Sequence, residues 1–238
     1  MQINILRLIE GAKQAKGLVV IIDVFRAFSL ECYLYSMGAK LVRPVGTVEE
    51  ARKLKDKHSE WLLVGERGGR ICEGFDFGNS PSSITEEQIC EKEIIHTTSA
   101  GTQGIVNAVN ADKIIAGCLA NAKAVAEYIR KENPKVVSLV CMGNAGRSIA
   151  NEDELCARYI KSLLENEPLS DLDEQILRLK TNGGEHFFNK EMQEVFPEQD
   201  FWLCTKYDIF PFVLEIQKDE LGYVSIKKSV KVISGNKK

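Results

Sequence analysis

The chain has 238 residues and a net charge of −3, with 44% hydrophobic and 27% charged residues; it is long enough to bury a core in one α/β domain or two small ones, and its composition excludes a disordered or fibrous class. The slight acidity leaves no electrostatic case for nucleic acid, because the lysine-rich stretch of Lys227, Lys228, Lys231, Lys237 and Lys238 reads as a solvated end. No apolar run approaches the roughly 18 residues needed to cross a bilayer, and seven cysteines without CxxC spacing read as reduced thiols, so the expected setting is the cytoplasm with no membrane partner.

Short apolar runs alternate with helical patterns along the chain. Leu18 to Val24 reads as a buried strand from its β-branched content, and a helix is expected over 28–38. A second strand follows over 41–45, after which Thr47 and Glu50 carry the signature of a capping box at a helix start. Leu62 to Arg67 gives a third strand running into a turn. Three more, over 94–98, 113–118 and 136–141, are separated by helices at about 101–109 and 121–133. This alternation predicts an α/β fold with a mainly parallel sheet sandwiched by helices and a ligand site at the carboxyl ends of its strands. Beyond residue 150 the rhythm changes to helical patterns at 151–166, 170–180 and 184–195, then strand-like stretches near 200–205, 212–217 and 222–226. The change suggests a second, smaller α/β part, with the division set at 1–130 and 131–238.

Polar residues gather where the expected strands end. Asp23 closes an apolar strand, and a lone buried carboxylate costs several kcal/mol unless a cation, a metal or hydrogen-bond donors stand beside it. Arg26 is the nearest cation in sequence, either as a structural salt bridge or as part of a site. Glu66 and Arg67 form a second acid and base pair, followed by glycines that let backbone approach a ligand. Asn79 and Ser80 sit in a tight Gly-Asn-Ser-Pro turn. In His96-Thr-Thr-Ser-Ala-Gly-Thr102, the hydroxyls of Thr97, Thr98, Ser99 and Thr102 and the amide near Gly101 exceed what one N-cap needs and suggest an oxyanion site. His96 itself reads as a core histidine, and His58 and His186 carry no signal. Asn121 fits an N-cap as well as a ligand contact. Cys141 and Arg147 have the spacing of a thiolate and guanidinium pair in a phosphate loop, yet two common residue types reach that spacing easily by chance. Glu152 and Asp153 open the next helix, where negative charge also suits the helix dipole.

Taken in order, Ile22-Asp-Val-Phe-Arg-Ala27, Gly65-Glu-Arg67, Gly74-Phe-Asp-Phe-Gly-Asn-Ser-Pro81, Thr97-Thr-Ser-Ala-Gly-Thr102, Asn121-Ala122 and Glu152-Asp153 resemble the 2-phosphosulfolactate phosphatase family from about residue 18 to at least 160. Ala100 is a mild departure, since the family's loop usually reads Thr-Thr-Asn-Gly-Thr or Thr-Thr-Ser-Asn-Gly-Thr. The resemblance implies two unlike α/β parts and a Mg²⁺-dependent phosphoric monoester hydrolase that converts 2-phospho-3-sulfolactate, or a similar small phosphorylated hydroxy acid, to sulfolactate and phosphate, a step toward coenzyme M. It implies Asp23 and Glu66 as metal ligands with Glu152 as a further one, and Asp153 as an alternative ligand or the group that orients water. Arg26 and Arg67 would grip the anionic substrate, assisted by Asn79, Ser80, the Thr97–Thr102 loop, Asn121, Cys141 and Arg147. A homodimer is compatible with this reading. Two rivals stand beside it: a phosphatase with Cys141 as nucleophile, and a non-catalytic binder of phosphorylated or sulfonated metabolites.

Overall fold

The computed structural model describes residues 1–167 and 169–231; Lys237 and Lys238 of the expected lysine tail lie outside the described residues. In chain order the elements are β1 (Gln2–Arg7), α1 (Leu8–Gln14), β2 (Gly17–Ile22), α2 (Ala27–Ser36), β3 (Leu41–Pro44), α3 (Val48–Lys57), β4 (Leu62–Arg67), β5 (Arg70–Ile71), α4 (Glu86–Ile89), β6 (Glu93–Thr97), α5 (Gly101–Asn107), β7 (Ala111–Gly117), α6 (Ala122–Glu132), β8 (Val136–Cys141), α7 (Asn151–Glu165), α8 (Leu172–Arg178), α9 (Glu198–Thr205), β9 (Phe212–Asp219) and β10 (Gly222–Ser229).

Leu18 to Ile22 of β2 are all buried, as a strand covered on both faces requires. β2 accordingly lies inside a ten-stranded sheet ordered β1-β8-β2-β7-β9-β10-β3-β6-β4-β5. Two parallel blocks, β1-β8-β2-β7 and β3-β6-β4, are joined by the antiparallel hairpin β9-β10, which pairs β7 on one side and β3 on the other. The two α/β parts expected on either side of residue 130 thus share one sheet, with β8 inserted between β1 and β2. Helices α1 and α5 pack on each other and on β8 and β2, whereas α6 and α7 pack on each other and on β7, β8 and β2. The main core runs through this arrangement, and a satellite cluster around Trp61, Leu63, Phe75 and Ile95 supports the second block.

The capping box at Thr47 is formed: its hydroxyl accepts from the Glu50 amide at 3.1 Å, and Glu50 accepts from the Thr47 amide at 3.0 Å. The strand-like stretch near 200–205 is instead helix α9, which starts after Pro197 and carries Glu198 and Asp200 in its first turn. The helical pattern at 184–195 resolves into two short 3-10 turns. β1 and α1 were not anticipated; β1 is an edge strand whose alternating Ile3 and Ile5 are only partly buried, so its apolar signal is short.

Candidate active site

The two parallel blocks face each other across a cavity of ≈ 270 Å³. Its wall takes Asp23, Phe25 and Arg26 from the end of β2, Gly143, Asn144 and Ala145 from the loop after β8, and Glu66, Gly68 and Gly69 from the end of β4 and its turn. Asn79, Ser99, Ala100, His186 and Phe196 complete it. The cavity lies at the carboxyl ends of strands from both blocks, the place where open α/β sheets usually bind ligands.

Four acids are concentrated at this place, each less than a tenth exposed: Asp23, Glu66, Glu152 and Asp153. Glu66 is fixed by its neighbours, since Oε1 accepts from the Ser99 amide at 2.7 Å and Oε2 from the Gly69 amide at 2.7 Å and the Ser99 hydroxyl at 3.2 Å. Asp23 Oδ1 accepts from the Ala27 amide at 3.2 Å, which is the following helix turning its first N–H groups onto the carboxylate. A Cβ on Gly101 would stand 2.9 Å from Asp23 Oδ2 and 2.8 Å from the Ala27 Cβ, so α5 reaches this carboxylate only because the residue is glycine. Asp153 lies behind, its oxygens held by the amides of Val24 at 2.9 Å and Gly143 at 2.8 Å. Burial, then the charges of Asp153 and Glu66, push Asp23 well above the usual carboxylate range. Burial and Glu152 do the same to Asp153, and burial, with repulsion from Asp23 and Glu185, pushes Glu152 up to about 8. Among the described residues, no three His, Cys, Asp or Glu side chains are arranged to hold a metal ion by themselves.

The cations have partners other than these acids. Arg26 does not pair with Asp23: its Nη1 binds Asp200 at 2.7 Å and the Val195 carbonyl at 2.9 Å, its Nη2 binds the Gly69 carbonyl at 3.2 Å, and Phe196 lies over the guanidinium. The Asp200 carboxylate also accepts from the Ser80 hydroxyl and the Ser82 amide, both at 3.0 Å. Arg67 reaches the Thr97 hydroxyl at 2.9 Å and the Glu66 carbonyl at 2.6 Å, and lines a second cavity of ≈ 720 Å³ together with Arg147 and Gln103. The second cavity shares Gly68, Ser99 and Ala145 with the first.

Residues 3–219 match the 2-phosphosulpholactate phosphatase family. The chain belongs to this family. Among curated relatives it is similar to the probable 2-phosphosulfolactate phosphatase of Bacillus subtilis (strain 168), 32% identical over 84% of this chain and 87% of the relative. It is 36% identical to the probable 2-phosphosulfolactate phosphatase of Caldicellulosiruptor saccharolyticus, over 83% of this chain and 88% of the relative. With that of Carboxydothermus hydrogenoformans it shares 39% identity over 74% and 72% of the two chains. The 2-phosphosulpholactate phosphatases are, by that name, phosphoric monoester hydrolases.

Within this family framework several expected site residues have structural partners of their own. Thr98 and Thr102 cap each other, through Thr98 N to Thr102 Oγ1 at 2.9 Å and Thr102 N to Thr98 Oγ1 at 3.2 Å, while Thr97 accepts from Arg67. Of the loop's four hydroxyls only Ser99 lines the cavity, because local side-chain to backbone bonds absorb the excess. Asn121 is fully buried, accepting from the Cys118 amide at 3.0 Å and donating to the Ala116 carbonyl at 3.3 Å, away from the cavity wall. Cys141 is also buried, its thiol 3.4 Å from the Asp153 carbonyl; burial, then Asp153 and Glu154, push the thiol far up. Arg147 is exposed on the second cavity, so it does not partner Cys141 as a phosphate loop would need. Conversely, sequence reading passed over His186, Phe196 and Asp200, which come from the irregular segment after α8 and from α9. His186 is held below its ordinary value by burial and by Arg26, and packs against Phe187 at a tilt and against Phe196 edge to face.

Proposed function

We propose that this protein hydrolyses 2-phospho-3-sulfolactate, or a similar small phosphorylated hydroxy acid, to the free hydroxy acid and phosphate in a Mg²⁺-dependent reaction. The observation that carries the reading is the imbalance of charge at the first cavity. Asp23 and Glu66 form its wall with Glu152 and Asp153 behind, and among the described residues none of the four has an ion-pair partner. The Arg26 guanidinium on the same wall is already neutralised by Asp200. A phosphomonoester would be repelled by such a wall unless a divalent cation entered with it.

The donor set fits Mg²⁺, which takes hard oxygen ligands, keeps several waters and needs only one or two carboxylates plus substrate phosphate. Asp23 and Glu66 would hold it, with Glu152 as the reserve of negative charge behind them. When bound, the cation supplies Lewis-acid neutralisation of phosphoryl oxygens and lowers the cost of bringing a water to phosphorus. The protein's own groups do the rest. The Gly69 and Ser99 amides fix the Glu66 carboxylate rigidly, so its orientation need not be reorganised during reaction. Asn79 and the backbone from Gly143 to Ala145 provide polar groups on the opposite walls. His186, held toward its neutral form, offers a lone pair to a water at the cavity edge. Arg67 and Arg147, in the adjoining cavity, suit a second anionic group such as a sulfonate or carboxylate on the same small substrate.

No residue in this scheme becomes phosphorylated, and the thiol of Cys141 has no part in it. The seven cysteines are all free, which supports a reducing, cytoplasmic setting. The test is phosphate release from a panel of small phosphorylated acids with and without Mg²⁺. Release selective for acids bearing a second strong anion, and abolished by EDTA, is expected. Hydrolysis that survives EDTA undiminished would overturn the role of the metal, and no release from any member of the panel would overturn the activity.

A further inference from the structure

One buried charge is unused by the chemistry above. Glu31 on α2 and His96 on β6 are both 0% exposed, with His96 Nδ1 3.5 Å from Glu31 Oε2. Neither Glu31 oxygen nor His96 Nδ1 has a hydrogen-bond partner of ordinary geometry, and among the described residues His96 is the one ion-pair partner of Glu31. The second ring nitrogen, Nε2, lies 3.3 Å from Oδ1 of Asn79, a residue of the first cavity's wall. A polar chain thus runs from the core to the cavity: carboxyl, imidazole, amide.

The number of protons on this chain decides which end of Asn79 the cavity sees. With one proton shared by the pair, it sits between Nδ1 and Glu31, the pair carries a negative charge, and Nε2 is a bare lone pair. Asn79 must then turn its NH₂ to the ring and its carbonyl oxygen to the cavity. With two protons the pair is neutral as a whole, Nε2 carries hydrogen, and Asn79 gives its carbonyl oxygen to the ring. Its Nδ2 hydrogens are then free for the cavity. The placement of Oδ1 of Asn79 at Nε2, 3.3 Å away, is the one that goes with hydrogen on Nε2.

We infer that His96, held by Glu31, is a positioning residue that locks the Asn79 amide with its N–H groups toward the anion in the cavity. This rests on the reading of the first cavity as a phosphate site. His96 touches no substrate; it acts through the orientation of one amide, which would otherwise present either a donor or a repelling oxygen at equal steric cost.

The chain has three histidines, so long-range proton–nitrogen NMR of the full-length ¹⁵N-labelled protein can resolve the His96 ring, assigned by its loss in His96→Gln. Hydrogen on Nε2 at neutral pH is expected; an Nε2 without hydrogen, with Nδ1 alone protonated, would overturn the inference. Binding of inorganic phosphate in the presence of Mg²⁺ supplies the second measurement. His96→Gln keeps an N–H donor for Asn79 and should bind phosphate nearly as well as the unsubstituted protein, whereas His96→Leu should bind about tenfold more weakly, the loss of one hydrogen bond to an anion. In an Asn79→Ala background the Gln and Leu variants should be indistinguishable. Equal weakening by Gln and Leu, or a persisting difference without Asn79, would show a merely structural histidine. If the unsubstituted protein binds no phosphate at all, the phosphate-site reading fails, while the ring protonation still decides the role of His96.

Discussion

Two groups of buried acids in this protein have opposite fates. In the bridging hairpin, burial pushes Glu215 up, but Lys228 at 2.6 Å, the Tyr128 hydroxyl and Gln217 at 2.6 Å overcome it and hold the carboxylate at about 2. At the cavity, Asp23, Glu152 and Asp153 receive only backbone N–H groups, repel one another and are all raised. The same sheet therefore shows that this fold can neutralise a buried carboxylate with side chains where the purpose is stability. Asp23, Glu152 and Asp153, where the two parallel blocks meet, have no such partner among the described residues, and the proposed role for a divalent cation rests on that difference.

The largest effect expected from breaking this contrast is at Asp23. Asp23→Asn removes one charge from the wall but preserves shape and the acceptor for the Ala27 amide. Turnover should fall by roughly a thousandfold, the scale of losing a group that holds charge at a reacting centre, while the melting temperature stays the same or rises because mutual repulsion is relieved. Phosphate release and calorimetry on the same preparation check both halves. A variant that keeps a tenth of the turnover would mean the acids are not a metal-binding wall.

Next in size is a pH effect. The folded-state pKa of Glu152, about 8, lies above its ordinary value near 4.5, so the folded protein binds more protons than the unfolded chain between these limits. As far as this group is concerned, stability of EDTA-treated protein should be full at and below pH 4.5 and fall by on the order of a few kcal/mol as pH rises through about 8. Glu152→Gln should remove much of that slope, and Mg²⁺ should flatten it in the unsubstituted protein with release of protons. Denaturant melts across that pH range, with and without the metal, are the measurement; an unchanged slope in the Gln variant would assign the destabilisation to other groups.

The same contrast shows what the linear chain reveals. An acid that ends a run such as Leu18 to Ile22 has few inexpensive explanations, so Asp23 stands out without any coordinates, and the sheet-forming runs around it place it at a strand end. Arg26 was visible too, but its partner was not. Asp200 lies 174 residues away, on a helix whose continuous apolar and aromatic run Phe201-Trp-Leu-Cys204 reads like a strand. His186 lies in a short 3-10 turn and Phe196 in the irregular stretch before α9, both without sustained periodicity, and nothing local marks them as wall residues. The hydroxyls of Thr97, Thr98 and Thr102 mislead in the other direction: counting donors cannot tell which are consumed by their own loop. Nor does the βαβ rhythm announce that β9 and β10 join the two blocks, because that pairing is set by tertiary packing and not by the pattern of either strand.

A smaller effect sharpens the stabilising half of the contrast. Glu215→Gln loses the charge that Lys228 and Tyr128 serve, and since Lys228 is partly exposed the cost should be only about 1 kcal/mol at neutral pH. The folded pKa is depressed, so the contribution is present above the unfolded value and disappears as pH falls through about 2. The variant should therefore converge with the unsubstituted protein in acid, and its phosphatase turnover should be unaffected. A loss of turnover equal to that of Asp23→Asn would erase the distinction between the two groups of acids.

The smallest change is expected at Cys141, where the two groups of acids and the thiolate alternative make opposite claims. Cys141 Sγ is buried beside raised carboxylates and close to the Asp153 carbonyl, surroundings that keep a thiol protonated and unreactive. A serine in its place can donate to the same carbonyl, at the cost of a slightly smaller and more polar side chain in the core. Turnover in Cys141→Ser should stay within about threefold of the unsubstituted protein, since no bond-making step passes through the thiol, and EDTA should still abolish it. If serine instead removed turnover while the melting temperature held and EDTA had no effect, the nucleophile would be sulfur. The unpaired acids of the cavity would then be a cost of folding with no chemical use, which is the outcome hardest to reconcile with Glu215, where the same fold neutralises such a group completely.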